Sequence, residues 1–184
     1  MNRAAAAAAI ADFLRALGRD AQREPELVGT PERVATAYID ELLSGYALDV
    51  DELLASNVLS GTSDMVVVRN VRLSTMCPHH LLPAIGSADV AFRPATRIVG
   101  LGAIVQVVDA LSKRLVLQET LGEDVVSALA KHLDPKWVAC RIALSHGCML
   151  ARGERAHGAA VETFSFRGND GDRAEAIATV RSEP

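Results

Sequence analysis

The sequence of 184 residues contains little that would mark a secreted, membrane-spanning or nucleic-acid-binding protein. Its three cysteines are too few and too widely separated for a disulfide framework. No hydrophobic run approaches the roughly 20 residues that a membrane span needs. The formal net charge is −4 at pH 7, and this lack of basic surplus argues against nucleic acid or a membrane surface as the main partner. We therefore expect the protein to be located in the cytoplasm, which is a reducing environment.

The alanine-rich N-terminus predicts helices and lacks the compact apolar segment of a signal peptide, because aspartate and arginine interrupt it at helical intervals. Residues 4–17 are rich in good helix formers. A second helix is expected with Thr30 as N-cap, Pro31 at the first helical position and Gly45 at its end. These patterns define a predicted N-terminal helical region, residues 1–60.

Residues 61–184 combine strand and helix patterns. Segments rich in β-branched or alternating residues predict strands at 64–73, 86–94, 137–150 and 159–168. A long apolar helical period covers 103–133, with a break expected near Gly122, and a short helix is predicted at 173–180. No linker is long enough to separate two domains. We therefore predict a single structural unit of the α+β class.

Cysteine and histidine are concentrated in two short clusters. The stretch STMCPHHLLP contains Cys77, His79 and His80, and the C-x-x-H spacing lets the first and last of these converge from one turn. The stretch SHGCM contains His146 and Cys148. In a strand, residues two apart point to the same face, so both would project into one site. Zinc favours such nitrogen and sulfur ligands.

Three interpretations of these clusters stay open from the residues alone. A structural zinc would take four protein ligands, whereas a catalytic zinc takes three and leaves a position for water, whose pKa falls toward ~7. The third interpretation is that polar residues lie by coincidence beside a buried strand. The remaining cysteine, Cys140, lies in an apolar strand pattern and is predicted to be a small core residue.

Five segments between about Gly29 and Gly168 form a specific pattern. They are TPERVATAYIDELLSGY, DMVVVRNVRLSTMCPHHLLP, VGL before a helix, QE within that helix, and HGCMLARG. In this order they resemble GTP cyclohydrolase I, a family of the tunnelling-fold superfamily. The resemblance implies an antiparallel sheet with helices packed on one face, the catalytic domain spanning residues 61–184. It also implies a homo-oligomer, a decamer, with sites at subunit interfaces.

The resemblance also assigns roles to the two clusters. It implies that Cys77, His80 and Cys148 hold a zinc ion, with water in the fourth position. It implies that His79 and His146 transfer protons and do not bind the metal. Histidine suits this task because its pKa lies near the working pH.

Four further residues match substrate-binding positions of the family. Gln118 and Glu119 match the pair that reads the guanine edge, where N1–H and the exocyclic amine are adjacent donors. Arg33 and Arg152 match arginines that face the phosphates. In the family, zinc-bound water attacks C8 of the purine while a histidine protonates the imidazole ring. Formate then leaves, and the product recloses into dihydroneopterin triphosphate, a pterin.

The sequence departs from the family at the positions that serve the triphosphate. The family follows VGL with Ser-Lys and, three residues after the lysine, an arginine, whereas this chain has Gly102, Ala103 and Gln106. A family lysine in the earlier helix is Thr36 here, and the Lys or Ser often found after RG is absent. The glutamate between the cysteine and the histidine pair is replaced by Pro78.

These replacements favour a substrate with few or no phosphates, because lysine and arginine are the usual ligands of a triphosphate. Three lost charge-assisted hydrogen bonds would cost at least about 4 kcal/mol if additive, roughly a thousandfold in affinity. Two alternatives remain. The first is an ordinary GTP cyclohydrolase I that holds GTP through Arg33, Arg152, Arg155 and Lys113. The second is a catalytically silent subunit that binds a purine or pterin.

Pro78 raises a separate hypothesis about the product. It removes a carboxylate and a backbone N–H, and it fixes φ at that position. Without the carboxylate, the chemistry after ring opening would change, and the product would be an opened formamidopyrimidine or its deformylated amine. Detection of a pterin from the preferred substrate would exclude this hypothesis.

Overall fold

The computed structural model describes residues 1–153 and 155–182, and it has two compact units. The first unit is Met1–Ser44 and the second begins at Gly45. The division after residue 60 suggested by the sequence stays a prediction. Among the described residues, none of the helices combines the length and the apolar character that crossing a bilayer requires.

The N-terminal unit is helical, as predicted. Its elements are α1 (Arg3–Ala16), a 3₁₀ turn (Pro25–Leu27), α2 (Thr30–Ala37) and a π-helical turn (Tyr38–Leu42). The guanidinium of Arg3 joins the helices, because it donates to Thr36 Oγ1 at 2.9 Å and forms an ion pair with Asp40. This contact lowers the pKa of the Asp40 carboxyl, mainly through the hydrogen bond from Arg3.

The predicted cap of α2 is wrong by one residue. Gly29, and not Thr30, is the N-cap, and its φ of +74° lies in the left-handed region that glycine adopts without steric cost. Thr30 is already helical, and its Oγ1 accepts a hydrogen bond from Arg33 at 2.9 Å. The cap therefore depends on the backbone freedom of the glycine and not on a hydroxyl group.

The unit from Gly45 onward contains an antiparallel sheet with helices. Its helices are α3 (Val50–Ala55), α4 (Leu101–Ser112), α5 (Gln118–Leu133), α6 (Gly147–Leu150) and α7 (Arg173–Arg181). Its strands are β1 (Val58–Ser60), β2 (Val66–Met76), β3 (Pro83–Arg93), β4 (Arg97–Val99), β5 (Trp137–His146) and β6 (Val161–Gly168). The main sheet has the order β2-β3-β5-β6, and β1 pairs with β4. The α+β prediction is confirmed.

The two long helices α4 and α5 cover one face of the main sheet, as expected. The core between them contains Ile104, Leu129, Phe92 and Ile142, each at most 1% exposed. The short helix α7 packs on the opposite face, where Val180 meets a cluster around Trp137. Both faces of the central strands β3 and β5 are therefore buried at this end of the sheet, which accounts for their nearly continuous apolar sequence.

The break in the long helical period is not at Gly122, where we expected it. Helix α4 ends at Ser112 and α5 begins at Gln118, so the interruption falls at 113–117. Gly122 lies within α5, and a Cβ added there would lie 2.6 Å from Ser165 Oγ. The glycine therefore permits close packing of α5 on β6 and does not end a helix.

The stretch with Cys77 and His80 connects two strands, as predicted. Strand β2 ends at Met76 and β3 begins at Pro83, and these two residues are paired. Strand β3 then pairs with β5. The first cluster therefore lies at the same end of the sheet as the last residue of β5.

Candidate active site

The first cluster forms the tight turn between β2 and β3. Cys77 N–H donates to Leu82 O at 3.0 Å, and Leu81 N–H donates to Cys77 O at 2.9 Å. Leu81 has a φ of +53°, in a region that non-glycine residues rarely adopt. With the turn closed in this way, Cys77 Sγ lies 3.8 Å from His80 Nδ1.

The second cluster lies where β5 ends. His146 is the last residue of the strand and pairs with Ala84. The expectation that Cys148 lies on the same strand is wrong, because the chain turns into the short helix α6 at Gly147. A Cβ added at Gly147 would lie 2.8 Å from Pro83 O. The absence of a side chain there lets the second cluster approach the end of the first.

The fold brings three candidate ligands together. The ligand atoms of Cys77, His80 and Cys148 all lie within 4.8 Å of one another. Two sulfurs and one imidazole nitrogen are donors that zinc favours, so the residues fit this metal. Three protein ligands also leave one tetrahedral position open, which is typical of catalytic and not of structural zinc sites.

The third cysteine is not part of this group. Cys140 is only 1% exposed and packs in the core under α4 and α5, as predicted. Burial raises the pKa of its thiol to about 12, and Asp89 adds a smaller contribution in the same direction. Cys140 therefore stays a neutral thiol at pH 7, unsuited to bind a metal.

A cavity of about 240 Å³ opens beside the three candidate ligands. Its lining consists of Thr75, Cys77, Pro78, His79, His80, Ala84, Val116, Leu117, Gln118, Glu119, His146, Cys148, Met149 and Val161. Most of these residues come from β2, the following turn, the start of α5 and the end of β5. Within the described part of the chain, the lining contains one carboxylate, Glu119, and neither lysine nor arginine.

Gln118 and His146 are bonded to each other at the wall of the cavity. Gln118 Oε1 lies 2.8 Å from His146 Nε2. Gln118 is only 3% exposed, whereas its neighbour Glu119 is exposed. The two members of the predicted substrate-reading pair therefore occupy different environments. The sequence gives no signal of this difference, because the partners of Gln118 lie on strands 24 or more residues away.

The predicted phosphate-facing arginines have partners within their own units. Arg152 is exposed, and its Nη1 lies 2.9 Å from His80 Nε2, next to the candidate ligand group. Arg33 belongs to the N-terminal unit, where it donates to Val28 O at 3.0 Å and to Thr30 Oγ1.

The three positions at which the resemblance predicts lost phosphate ligands lie at the start of α4. Gly102 and Gln106 are exposed, and nothing lies within 4 Å of a Cβ added at Gly102. Ala103 is only 4% exposed and packs in the core. Two of the three positions therefore have room for larger polar side chains that this sequence does not supply.

Comparison with known proteins identifies the family of this chain. A family model described as GTP cyclohydrolase I matches residues 6–182. The chain belongs to the GTP cyclohydrolase I family. GTP cyclohydrolase 1 of Allorhizobium ampelinum is 39% identical over 162 residues, which cover 87% of this chain and 80% of that protein. GTP cyclohydrolase 1 of a Synechococcus strain is 43% identical over 162 residues, which cover 88% of this chain and 70% of that protein.

The resemblance expected from the sequence is therefore confirmed, and the chain is a member of an enzyme family whose cyclohydrolases act on carbon–nitrogen bonds. Among solved structures, an archaeosine synthase QueF-Like in the apo form matches with a TM-score of 0.48 and 17% identity. The match covers 59% of the present chain and 98% of the archaeosine synthase chain.

Replacing either cysteine of the candidate ligand group should weaken metal binding. In Cys77→Ser and Cys148→Ser a hydroxyl replaces a thiolate, and we expect zinc affinity to fall by more than the roughly 10–100-fold typical of an outer-shell change. Competition with a chromogenic chelator on the full chain measures this affinity. Cys140→Ala is the matched control and should bind zinc like the unchanged protein. Unchanged affinity in Cys148→Ser would contradict the assignment.

Proposed function

We propose that this protein is a zinc-dependent hydrolase that opens the imidazole ring of a guanine-type purine without a triphosphate: a nucleoside, a base or an analogue. One observation carries the proposal. The cavity beside Cys77, His80 and Cys148 offers a carboxylate at Glu119 and, among the described lining residues, no cationic side chain of lysine or arginine. Such a lining suits the donors of a purine edge better than a polyphosphate.

The proposed metal ligands are Cys77, His80 and Cys148, and the proposed metal is zinc. When bound, zinc supplies Lewis-acid activation of water at neutral pH, and ring opening requires such an activated water as the nucleophile at C8 of the purine. The turn hydrogen bonds of Cys77 fix the backbone that carries two of the proposed ligands, Cys77 and His80. Such preorganisation lowers the cost of assembling the site.

Two histidines are proposed to move protons during ring opening. His79 lines the cavity without belonging to the ligand group, and its ring lies edge-on to that of His80 with centroids 6.2 Å apart. His146, at the end of β5, also lines the cavity. General acid–base catalysis by such groups typically contributes about 10²–10⁴ in rate.

Glu119 is proposed to read the purine. Its exposed carboxylate lines the cavity. The two carboxylate oxygens can accept hydrogen bonds from two adjacent donors, and guanine presents such a pair in N1–H and its exocyclic amine. The residue lies in the first turn of α5, where the helix dipole favours a negative charge. Both features suit a carboxylate that accepts hydrogen bonds from a purine at this position.

The start of α4 is the part of the chain that disfavours a triphosphate. Gly102, Ala103 and Gln106 supply no charge where the family has a serine, a lysine and an arginine. Because Ala103 is buried, its position also favours an apolar residue within this chain. A triphosphate bound here would lack several of the charge-assisted hydrogen bonds that usually hold it.

An ordinary GTP cyclohydrolase I, which makes 7,8-dihydroneopterin triphosphate and formate, is the second candidate. It is favoured by relatives of 39% and 43% identity that bear that name. Of the four residues available to hold GTP, Lys113 already pairs with Asp109 at 3.0 Å, and Arg152 contacts His80. A silent purine- or pterin-binding subunit is less well supported, because a pure binder needs neither the candidate ligand group nor the two histidines.

We further propose that the protein works as a homo-oligomer, a decamer by resemblance to its family, with sites at subunit interfaces. By the same resemblance, Arg33 and Arg152 are proposed substrate-binding residues. The cytoplasm is the proposed compartment, since the three cysteines are unpaired.

A substrate panel tests the proposed function. Zinc-loaded protein is incubated with GTP, GMP, guanosine, guanine and 8-aza analogues, and mass spectrometry follows added water, lost formate and pterin. We expect turnover of a nucleoside or base at a kcat/KM at least about tenfold above that for GTP. Conversion of GTP to dihydroneopterin triphosphate with the higher kcat/KM would contradict the proposal. A pterin product from any preferred substrate would exclude the hypothesis that Pro78 ends the reaction at the opened ring.

Restoring a single charge should shift the preference toward phosphate. Gln106 is exposed on α4, so Gln106→Arg should fold normally and raise kcat/KM for GTP relative to guanosine by about 10–100-fold. Gln106→Met is the matched control, with similar length and no charge, and should leave the ratio unchanged. The same shift in both variants, or none in the arginine variant, would contradict the account of this pocket.

A further inference from the structure

The side-chain amide of Gln118 is buried at the junction of α5, β5 and β6. Its Nε2 donates to Ile142 O and to Val161 O, each at 2.9 Å, and lies 3.2 Å from Thr163 Oγ1. An amide nitrogen carries two hydrogens, and the two backbone carbonyls account for both. Gln118 therefore has no N–H left to offer a substrate.

The same contacts determine which way the amide points. Backbone carbonyls only accept hydrogen bonds, so the group facing Ile142 and Val161 must be the nitrogen. Gln118 Oε1 is then directed at His146 Nε2, 2.8 Å away. An amide oxygen only accepts, so Nε2 of His146 must carry a hydrogen to make this bond. In a neutral imidazole the other nitrogen, Nδ1, is then left with a free lone pair.

We infer that Gln118 is a positioning residue that holds His146 in the Nε2–H tautomer and leaves Nδ1 as the atom that exchanges protons. The family resemblance made Gln118 a reader of the purine, but a side chain of a residue only 3% exposed, with both N–H groups bonded to the sheet, has little surface for a ligand. Glu119, which is exposed, is the member of the pair left for that task.

The contacts also explain why a glutamine occupies this position. Glutamate would direct an acceptor oxygen at two backbone carbonyls, and a shorter side chain would leave those carbonyls unpaired. Only an amide of this length donates to two carbonyls on one side and accepts from an imidazole on the other. The orientation of His146 is therefore coupled to the packing of α5 on β5 and β6.

The role in proton transfer rests on the proposed function, whereas the tautomer does not. Solid-state ¹⁵N NMR of zinc-loaded full chain labelled in histidine, at a pH where the ring is neutral, reads the tautomer directly and without substrate. The His146 signal is assigned by its loss in His146→Gln. We expect the proton on Nε2. A proton on Nδ1, or a mixture of tautomers, would overturn the inference whichever purine the enzyme accepts.

A variant separates positioning from substrate reading. Gln118→Met keeps the length of the side chain and removes the acceptor, so we expect mixed tautomers and a kcat lowered by about tenfold or more, with KM within about twofold. A rise in KM at constant kcat would instead assign Gln118 to purine binding. Thr163→Val, which removes only the longest contact, should keep the Nε2–H tautomer. If Gln118→Met does not fold, the His146 tautomer measured in the unchanged protein decides whether the inference holds.

Discussion

The antiparallel pairing of β3 with β5 is the constraint on which the candidate site depends. Its register sets Ala84 opposite His146, so the turn that ends β2 and the turn that ends β5 meet at one edge. A slip of one residue would reverse the faces of every side chain and separate Cys77 from Cys148. Burial of the central strands, by α4 and α5 on one side and α7 on the other, penalises such a slip. Core packing and ligand geometry are therefore fixed by the same strands.

The start of α5 links that sheet to the chemistry. Gln118 bonds both β5 and β6 and reaches His146, while the next residue, Glu119, is exposed to the cavity. A fully bonded buried amide is rigid, because breaking any of its bonds leaves a buried polar group unpaired. One turn of helix therefore supplies both the amide that bonds His146 and the exposed carboxylate that we propose binds the purine.

The sequence predicted those parts of the site that depend on local spacing. The C-x-x-H turn, the strands on either side of it and the core position of Cys140 follow from residue type and pattern over a few positions. The cap of α2, the location of Cys148 and the role of Gly122 did not, because each depends on how a glycine packs or bends the backbone. Gly29 adopts a positive φ, Gly147 approaches Pro83, and Gly122 packs on Ser165 within α5 and does not end a helix. The partners of Gln118 are distant in sequence, so only the folded chain reveals them.

We propose above that this member of the GTP cyclohydrolase I family has the groups for ring opening and does not hold a triphosphate. Calorimetric titration of zinc-loaded protein with guanosine and with GTP, at low and at high salt, tests that claim directly. The account predicts that GTP binds no more tightly than guanosine and that its Kd changes little with salt, since few charges contact the phosphates. Binding of GTP roughly a thousandfold tighter than guanosine, and weakened by salt, would contradict it.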